Sequence, residues 1–287
     1  MARRHELSDA EWTLLEPLLP ARQTRGRYFH NHRQMLNAML YRLHTGLPWR
    51  DLHERYGPWE TVYSRYRRWC RSGLWDRILA TLQRDLDAAG KIEWTLWCID
   101  GSSVRAHKAA AGAAGRGKNL PPHEPADHAL GRSRGGFGTK LHLVTDGGGL
   151  PLAVKVSAGQ ASEALYVEPV LDAVRIARPR GAPRRRPERV AADRAYSHRR
   201  IRCWLRARNI RAVIPERRDQ IEHRCGRPPA FDRDCYRRRN VIERCVGWLK
   251  EARAVATRYE KLAVHYLGIL KLAMIRRYLR LASANTA

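Results

Sequence analysis

Lysine is scarce in this chain, and so are acidic residues, paired cysteines and uninterrupted apolar runs. Only eight of its 55 basic residues are lysine, and Asp and Glu together number 28. The shortage of acid leaves a formal charge of +27 on 287 residues. Self-repulsion of that size is offset by a polyanionic partner, and nucleic acid is the default one. The six cysteines contain no CxxC pair, and the histidines show no paired ligand spacing beside them, which argues against a zinc centre or a redox dithiol. There is no secretory apolar region with a cleavage site, so a reducing cytoplasm, in association with the nucleoid, is the expected setting. The most apolar segment, LAVHYLGILKLAMIRRYLRL from Leu262, is broken by His265, Lys271, Arg276, Arg277 and Arg280. A bilayer core excludes such residues, so a buried C-terminal helix is expected and no membrane partner.

Arginine, which dominates the positive charge, suits bidentate contacts with phosphates and base edges, although biased genome composition would produce the same preference. Hydrophobic residues make up 44% of the chain. That is enough for one large or two ordinary cores and excludes a disordered basic tail.

The first 90 residues read as helical. In LSDAEWTLLEPLL, Ser8 and Glu11 have the spacing of a capping box, with Leu7 and Trp12 in staple positions. A second helix begins at Asn31, carries Met35, Leu36, Met39, Leu40 and Leu43 as its apolar stripe, and stops at Gly46. LPWRDLHERYGPWETVYSRYRRWCRSG then gives two short helices around Gly57, the spacing of a helix-turn-helix. In the second of them Val62, Tyr66 and Trp69 point inward, leaving Thr61, Ser64, Arg65, Arg68 and Arg71 outward as a recognition helix requires; a basic amphipathic helix with a solvated face gives the same pattern. Trp75 to Leu86 reads as one more helix, closing an all-α DNA-binding domain over residues 1–90.

From Glu93 the period changes. WTLWCID, TKLHLVTD, LPLAVKVS, RVAAD and IRAVIP read as strands, with helices at about Ser162 to Ala177 and His198 to Arg208 in the later connections. Three strands in meander followed by two helix-linked strands is the order of an RNase H-like α/β domain: a mixed five-stranded sheet with flanking helices, here over 91–287, whose first and fourth strands are parallel neighbours. A Gly/Pro-rich insertion at about 109–136 and the basic loop RPRGAPRRRPER from Arg178 read as solvated loops or as segments that lie along phosphates.

Asp100 closes the first strand and Asp193 the fourth. Parallel neighbours bring their carboxyl-terminal ends together, so the two carboxylates meet at one sheet edge. A lone strand-end aspartate is usually a turn former, as Asp146 is expected to be ahead of GGG. In YRRRNVIERCVGWLK, read as one helix, Tyr236, Arg239, Glu243 and Lys250 fall within about 60° of each other, opposite an apolar stripe. Two aspartates and a glutamate converging supply hard oxygen ligands for two Mg2+ ions, with Mn2+ able to substitute, and so for phosphodiester cleavage and strand transfer. Arg239 and Lys250 are placed to hold phosphates, and Tyr236 to stack or hydrogen-bond there.

The spacing of Tyr236, Arg239, Glu243 and Lys250 resembles the Tyr-Arg-Glu-Lys signature of DDE transposases of bacterial insertion sequences. IDGSSVRAHKAA, GRSRGGFGTKLHLVTDGGGLPL, ADRAYS, RRNVIERCVGWLK and ATRYEKLA resemble the insertion-sequence family numbered five. The resemblance implies that Asp100, Asp193 and Glu243 form the metal-binding catalytic triad and that Tyr236, Arg239 and Lys250 contact DNA. It implies an N-terminal domain that recognises terminal inverted repeats of double-stranded DNA, a second DNA as target, and a homodimer or larger assembly on DNA. A nuclease that cuts without joining is the nearest rival. A regulator using only the helix-turn-helix leaves unexplained residues 91–287, which hold 40 Lys+Arg against 18 Asp+Glu.

Overall fold

The structure, a computed structural model, describes residues 4–21, 31–113 and 120–284; residues 114–119 of the Gly/Pro-rich insertion fall outside them. Helix α1 (Asp9–Leu15) begins at the expected capping box: the Glu11 amide donates to Ser8 Oγ at 3.2 Å and the Ser8 amide to Glu11 Oε2 at 2.9 Å. Asn31 caps α2 (His32–Thr45) by accepting from the Arg33 amide at 2.8 Å, and Gly46 ends it at φ 70°, where a Cβ would come within 2.8 Å of Arg253 Cβ. Left-handed backbone in so narrow a gap requires glycine. The first of the two helices expected around Gly57 is instead a pair of 3-10 turns, Trp49–Asp51 and Glu54–Tyr56; the second is α3 (Trp59–Arg71). Helix α4 (Leu74–Ala88) follows.

Among the described residues the sheet has seven strands where five were expected: β1 (Leu96–Ala106), β2 (Gly131–Ser133), β3 (Gly136–Asp146), β4 (Pro151–Ala158), β5 (Arg189–Ala191), β6 (Arg211–Val213) and β7 (Thr257–Arg258). The five anticipated runs are β1, β3, β4, β5 and β6. The added β2 is a three-residue pairing with the start of β3, and β7 pairs with Arg105 and Ala106 at the end of β1; both are too short to show a periodic pattern. The order is β2-β3-β1-β5-β6, with β4 on β3. Strands β1 and β5 are parallel neighbours, Leu96 to Cys98 against Arg189 to Ala191, and β5 and β6 are parallel as well.

Helix α5 (Val167–Asp172) and a 3-10 turn at Glu163–Leu165 replace the longer helix expected over 162–177. Val174 and Ile176, β-branched and fully buried, leave the helix so that Ile176 can bridge Arg184 in the proline-rich loop. The remaining helices are α6 (Arg199–Arg206), α7 (Arg218–Glu222), α8 (Arg233–Arg237), α9 (Asn240–Glu251), α10 (Arg253–Ala256) and α11 (Ala263–Ser283).

Two compact units emerge, and each is discontinuous. One comprises Met1–Leu82, Arg105–His128 and Leu249–Ala287; the other comprises Gln83–Val104 and Ala129–Trp248. In the first of them α11 is apolar around most of its circumference and packs on α1, α2 and α3. There Arg276 is ion-paired with Glu11 at 2.5 Å and donates to the Glu6 carbonyl at 3.1 Å. No helix among the described residues is long and apolar enough to cross a membrane.

Candidate active site

The second unit contains the predicted carboxylates. Parallel pairing of β1 and β5 ends at Cys98 and Ala191. Asp100 and Asp193 each stand two residues further along, so the pleat carries both toward the same face of the sheet. Asp100 does not end its strand as expected, because β1 runs on to Ala106; what ends beside it is β5. Past that point Asp193 caps a 3-10 turn, Arg194–Tyr196, and accepts from the Ala195 amide at 2.9 Å. Asp146 lies at the far end of β3, buried, and accepts from the amides of Glu93, Gly148 and Leu150 at 3.0, 3.0 and 2.8 Å, the turn-forming role expected of it.

Glu243 is in the first turn of α9. The single helix expected from Tyr236 to Lys250 is interrupted at Arg238 and Arg239, where i to i+3 hydrogen bonds tighten the chain: the Arg239 amide donates to the Tyr236 carbonyl at 2.9 Å and the Ile242 amide to the Arg239 carbonyl at 3.0 Å. Around the break Arg237 pairs with Asp234, Arg238 with Glu93 and Arg239 with Asp100.

Arg239 joins the acids. One of its amino groups is 3.4 Å from Asp100 Oδ2 and the other holds the Glu243 carboxylate. Burial works against its charge, but Asp100, Tyr236, Glu243 and Asp193 together keep its pKa above the ordinary value. The pKa of Asp100 is raised by burial and by Asp193 and Glu163, against the pull of Arg239 and the Gly101 amide. That of Asp193 is raised by burial and Glu163, against the Ala195 amide and Arg239. Tyr236, in α8, packs against Phe231 with ring centroids 5.3 Å apart and lies under Arg239, whose guanidinium is 5.8 Å from the ring. Lys250 occupies the last turn of α9, half-buried, and burial lowers its pKa.

Glu163 is a fourth carboxylate here, and nothing in the sequence marked it. It follows β4 in a short 3-10 turn, pairs with Lys140 at 3.2 Å, and lies so close over Gly101 that a Cβ there would meet its Cγ at 2.8 Å. The β3–β4 register, which sets Thr139 opposite Ala158, brings it there. Tyr196, fully buried, has its phenol pKa raised by burial and then by Glu163, Asp100 and Asp193. Among the described residues no group of three His, Cys, Asp or Glu is already gathered as a metal ion requires. The donor set is nevertheless all hard oxygen, repels itself, and draws a guanidinium in, which is the chemistry that fits a divalent cation.

In the first unit α3 buries Val62, Tyr66 and Trp69 as expected and leaves Ser64, Arg68 and Arg71 exposed along a shallow groove of about 510 Å³. Arg65 is different: it is 8% exposed and 3.0 Å from His32 Nδ1. At 100° per residue it lies about 40° from Trp69, on the inward stripe, so the outward placement is corrected.

Two families match the chain: one described as "Putative transposase of IS4/5 family" over residues 7–79, and "Transposase DDE domain" over residues 95–276. An uncharacterized 16.2 kDa protein of insertion element IS402 from Burkholderia cepacia is 37% identical over 123 residues, covering 40% of this chain and 81% of its own. The "Putative transposase for insertion sequence element IS402" from the same organism is 37% identical over 136 residues, covering 47% of this chain and 60% of its own. A chain in the crystal structure of a pre-cleavage Mos1 transpososome aligns at 13% identity with a TM-score of 0.23, over 91% of this chain and 81% of its own, too slight a likeness to carry any argument.

Proposed function

The chain belongs to the transposase DDE domain family, in its IS4/5-like branch, and is a DNA transposase of an insertion sequence; from that premise we propose that Asp100, Asp193 and Glu243 carry its chemistry. The observation that supports this most is the register of β1 and β5, which leaves Asp100 and Asp193 the same two residues past the last paired position. We read the sheet as RNase H-like on the same ground.

The family implies a divalent metal, and we propose Mg2+, held by Asp100, Asp193 and Glu243, with Mn2+ as a substitute. Bound there, the metal would supply Lewis-acid stabilisation of the phosphodiester and a more acidic water. Arg239 supports the assignment from the protein side, since it already serves two of the three carboxylates as their cation. With a metal held by the acids, Arg239 would be available to hold a phosphate oxygen beside the scissile bond, with Tyr236 orienting it through its ring. Lys250 adds a phosphate contact, and Asp193 stays fixed by its capping hydrogen bond.

The reaction consists of two displacements at phosphorus. In the first, a water oxygen attacks the phosphodiester at the element's end, the bond to the 3′ oxygen breaks, and that oxygen leaves as a hydroxyl. In the second, the freed 3′-hydroxyl attacks a phosphodiester of target DNA, loses its proton, and displaces the 3′ oxygen of the target strand. One site serves both because each step is an in-line attack by oxygen. Exposed Arg68 and Arg71 on α3 suit recognition of the terminal inverted repeats, whereas buried Arg65 supports the helix from within. Holding two ends for cut-and-paste transposition calls for a dimer or larger assembly.

The test is a strand-transfer assay with a labelled terminal-repeat duplex, a supercoiled plasmid and Mg2+. Joined product supports transposition, and cleavage with no joining under any condition that cuts would reduce the activity to that of a nuclease.

A further inference from the structure

Glu163 has no part in the proposed chemistry, although it is built into the same end of the sheet. Strand β4 lies beside β3 and β3 beside β1, so a segment leaving β4 must cross β3 to reach β1. Residues 159–163 make that crossing, and Lys140 of β3 tethers them: its ammonium donates to the Ala161 carbonyl at 3.1 Å and pairs with the Glu163 carboxylate at 3.2 Å. Ser162 then caps the 3-10 turn Glu163–Leu165, which packs against Arg194–Tyr196, the turn capped by Asp193. Arg200 of α6 also holds this turn by donating to the Ala164 carbonyl at 2.9 Å. Glu163 thus stands between Gly101, next to Asp100, and the turn that begins at Asp193.

Two observations separate this carboxylate from an ordinary ion pair. The first is Gly101, whose backbone lies outside the left-handed region and does not itself call for glycine. What excludes a side chain there is Glu163, since an added Cβ would lie 2.6 Å from its Cδ and 2.8 Å from its Oε1. The space of one side chain is given over to the carboxylate. The second is Tyr196, 1% exposed, whose hydroxyl faces Glu163, Asp100 and Asp193 but makes no aligned hydrogen bond with any described residue. A buried hydroxyl without an acceptor is costly, and a water in the shell of a cation among these acids would supply one. Tethering of the segment does not need the carboxylate, because the Ala161 and Ala164 carbonyls already provide it. The Glu163 side chain is 22% exposed, so an ion from solvent reaches it. As Arg239 does for Asp100 and Glu243, Lys140 supplies a positive charge that a divalent ion would take over.

We propose that Glu163 is a fourth carboxylate of the divalent-cation site, joining Asp100, Asp193 and Glu243, with Lys140 as its counter-ion until the metal binds; this rests on the reading of that site as the transposase's metal centre. Hard oxygen donors suit Mg2+ and Mn2+, and a fourth strengthens the hold on the ion without contacting DNA.

The test is Mn2+ binding to the full chain without DNA, followed by the electron paramagnetic resonance of the free ion, with melting curves to show that each variant is folded. Glu163→Gln should weaken binding by about 10- to 100-fold, the usual effect of losing a group that supports a metal site. Gly101→Ala keeps every charge but displaces the Glu163 carboxylate, and should weaken binding as well. Lys140→Met removes only the counter-ion and should bind Mn2+ at least as tightly as the parent. Glu168→Gln, which removes an acid paired with Arg200 in the neighbouring α5, should match the parent. Parent-like affinity of Glu163→Gln, or of folded Gly101→Ala, where Asp193→Asn binds more weakly, overturns the assignment of Glu163 and leaves the proposed function standing. A loss in Lys140→Met or Glu168→Gln as large as that in Glu163→Gln also overturns it, by reducing Glu163 to a structural partner of the lysine or to one charge among many. Parent-like affinity in Asp193→Asn and Glu163→Gln alike, or no Mn2+ bound by the parent, contradicts the proposed metal centre itself.

Discussion

The guanidinium of Arg239 lies 3.4 Å from the Asp100 carboxylate, and the pKa of Asp100 is nevertheless raised, because burial and the neighbouring Asp193 and Glu163 outweigh it. A carboxyl group whose folded pKa exceeds its unfolded value binds more protons when folded. Its contribution to stability is therefore greatest at low pH and declines as pH rises from the unfolded pKa, near 4, through the raised one. Asp193 behaves alike. Without metal, the urea midpoint should fall across that acidic window on account of these two groups. Asp193→Asn should flatten the fall and Arg239→Gln steepen it. Adding Mg2+ at neutral pH should raise the midpoint of the parent more than that of Asp193→Asn.

Arg68 and Arg71 are exposed on α3, whereas Arg65 is buried against His32. If the first two meet phosphates, Arg68→Ala and Arg71→Ala should each reduce the slope of log affinity against log salt by about 0.9. Arg65→Ala should leave the slope unchanged and lower thermal stability instead. Salt titrations of duplex binding, together with melting curves, distinguish the two behaviours.

Gly268 on α11 has no room for a side chain: an added Cβ would overlap Cys70 Sγ and lie 2.7 Å from the Tyr66 hydroxyl. Both groups are buried and belong to the packed α3 face. Gly268→Ala should cost about 1–3 kcal/mol by overpacking, despite the better helix propensity of alanine. Chemical denaturation measures it.

The Glu11–Arg276 pair is buried on both sides, and Glu11 is also half of the capping box of α1. Arg276→Met leaves the carboxylate buried without its cation and should cost about 3–5 kcal/mol, and replacing both partners with apolar residues of similar volume should cost much less. A double-mutant cycle separates the pair from the cap.

How far the sequence could be read depended on whether a feature was local. Ser8, Glu11, Asn31 and Gly46 mark helix ends through contacts within a few residues, and all four occur where the sequence placed them. Parallel pairing of β1 and β5 followed from strand order, which is itself nearly local. Arg65 was legible too, since its angle from Trp69 assigns it to the inward stripe, but its charge suggested the surface; a histidine 33 positions away is what accommodates it. Arg238 and Arg239 meet Glu93 and Asp100, far off in the chain, and no helical periodicity reports those pairings. Glu163 reaches the site through the β3–β4 register, and α11 joins the N-terminal helices through shape complementarity at Gly268. Neither leaves a motif in the sequence.

Single-turnover cleavage of a terminal-repeat duplex in Mg2+ by the parent and by Asp193→Asn tests the assignment of the carboxylates most directly. The amide keeps the size of the side chain and its capping acceptor but removes the charge. Asp193→Asn should bind the duplex within about threefold of the parent and cut it slower by on the order of 10³-fold or more. Cleavage by Asp193→Asn at the parent's rate would show that the carboxylates of this site do not carry the reaction.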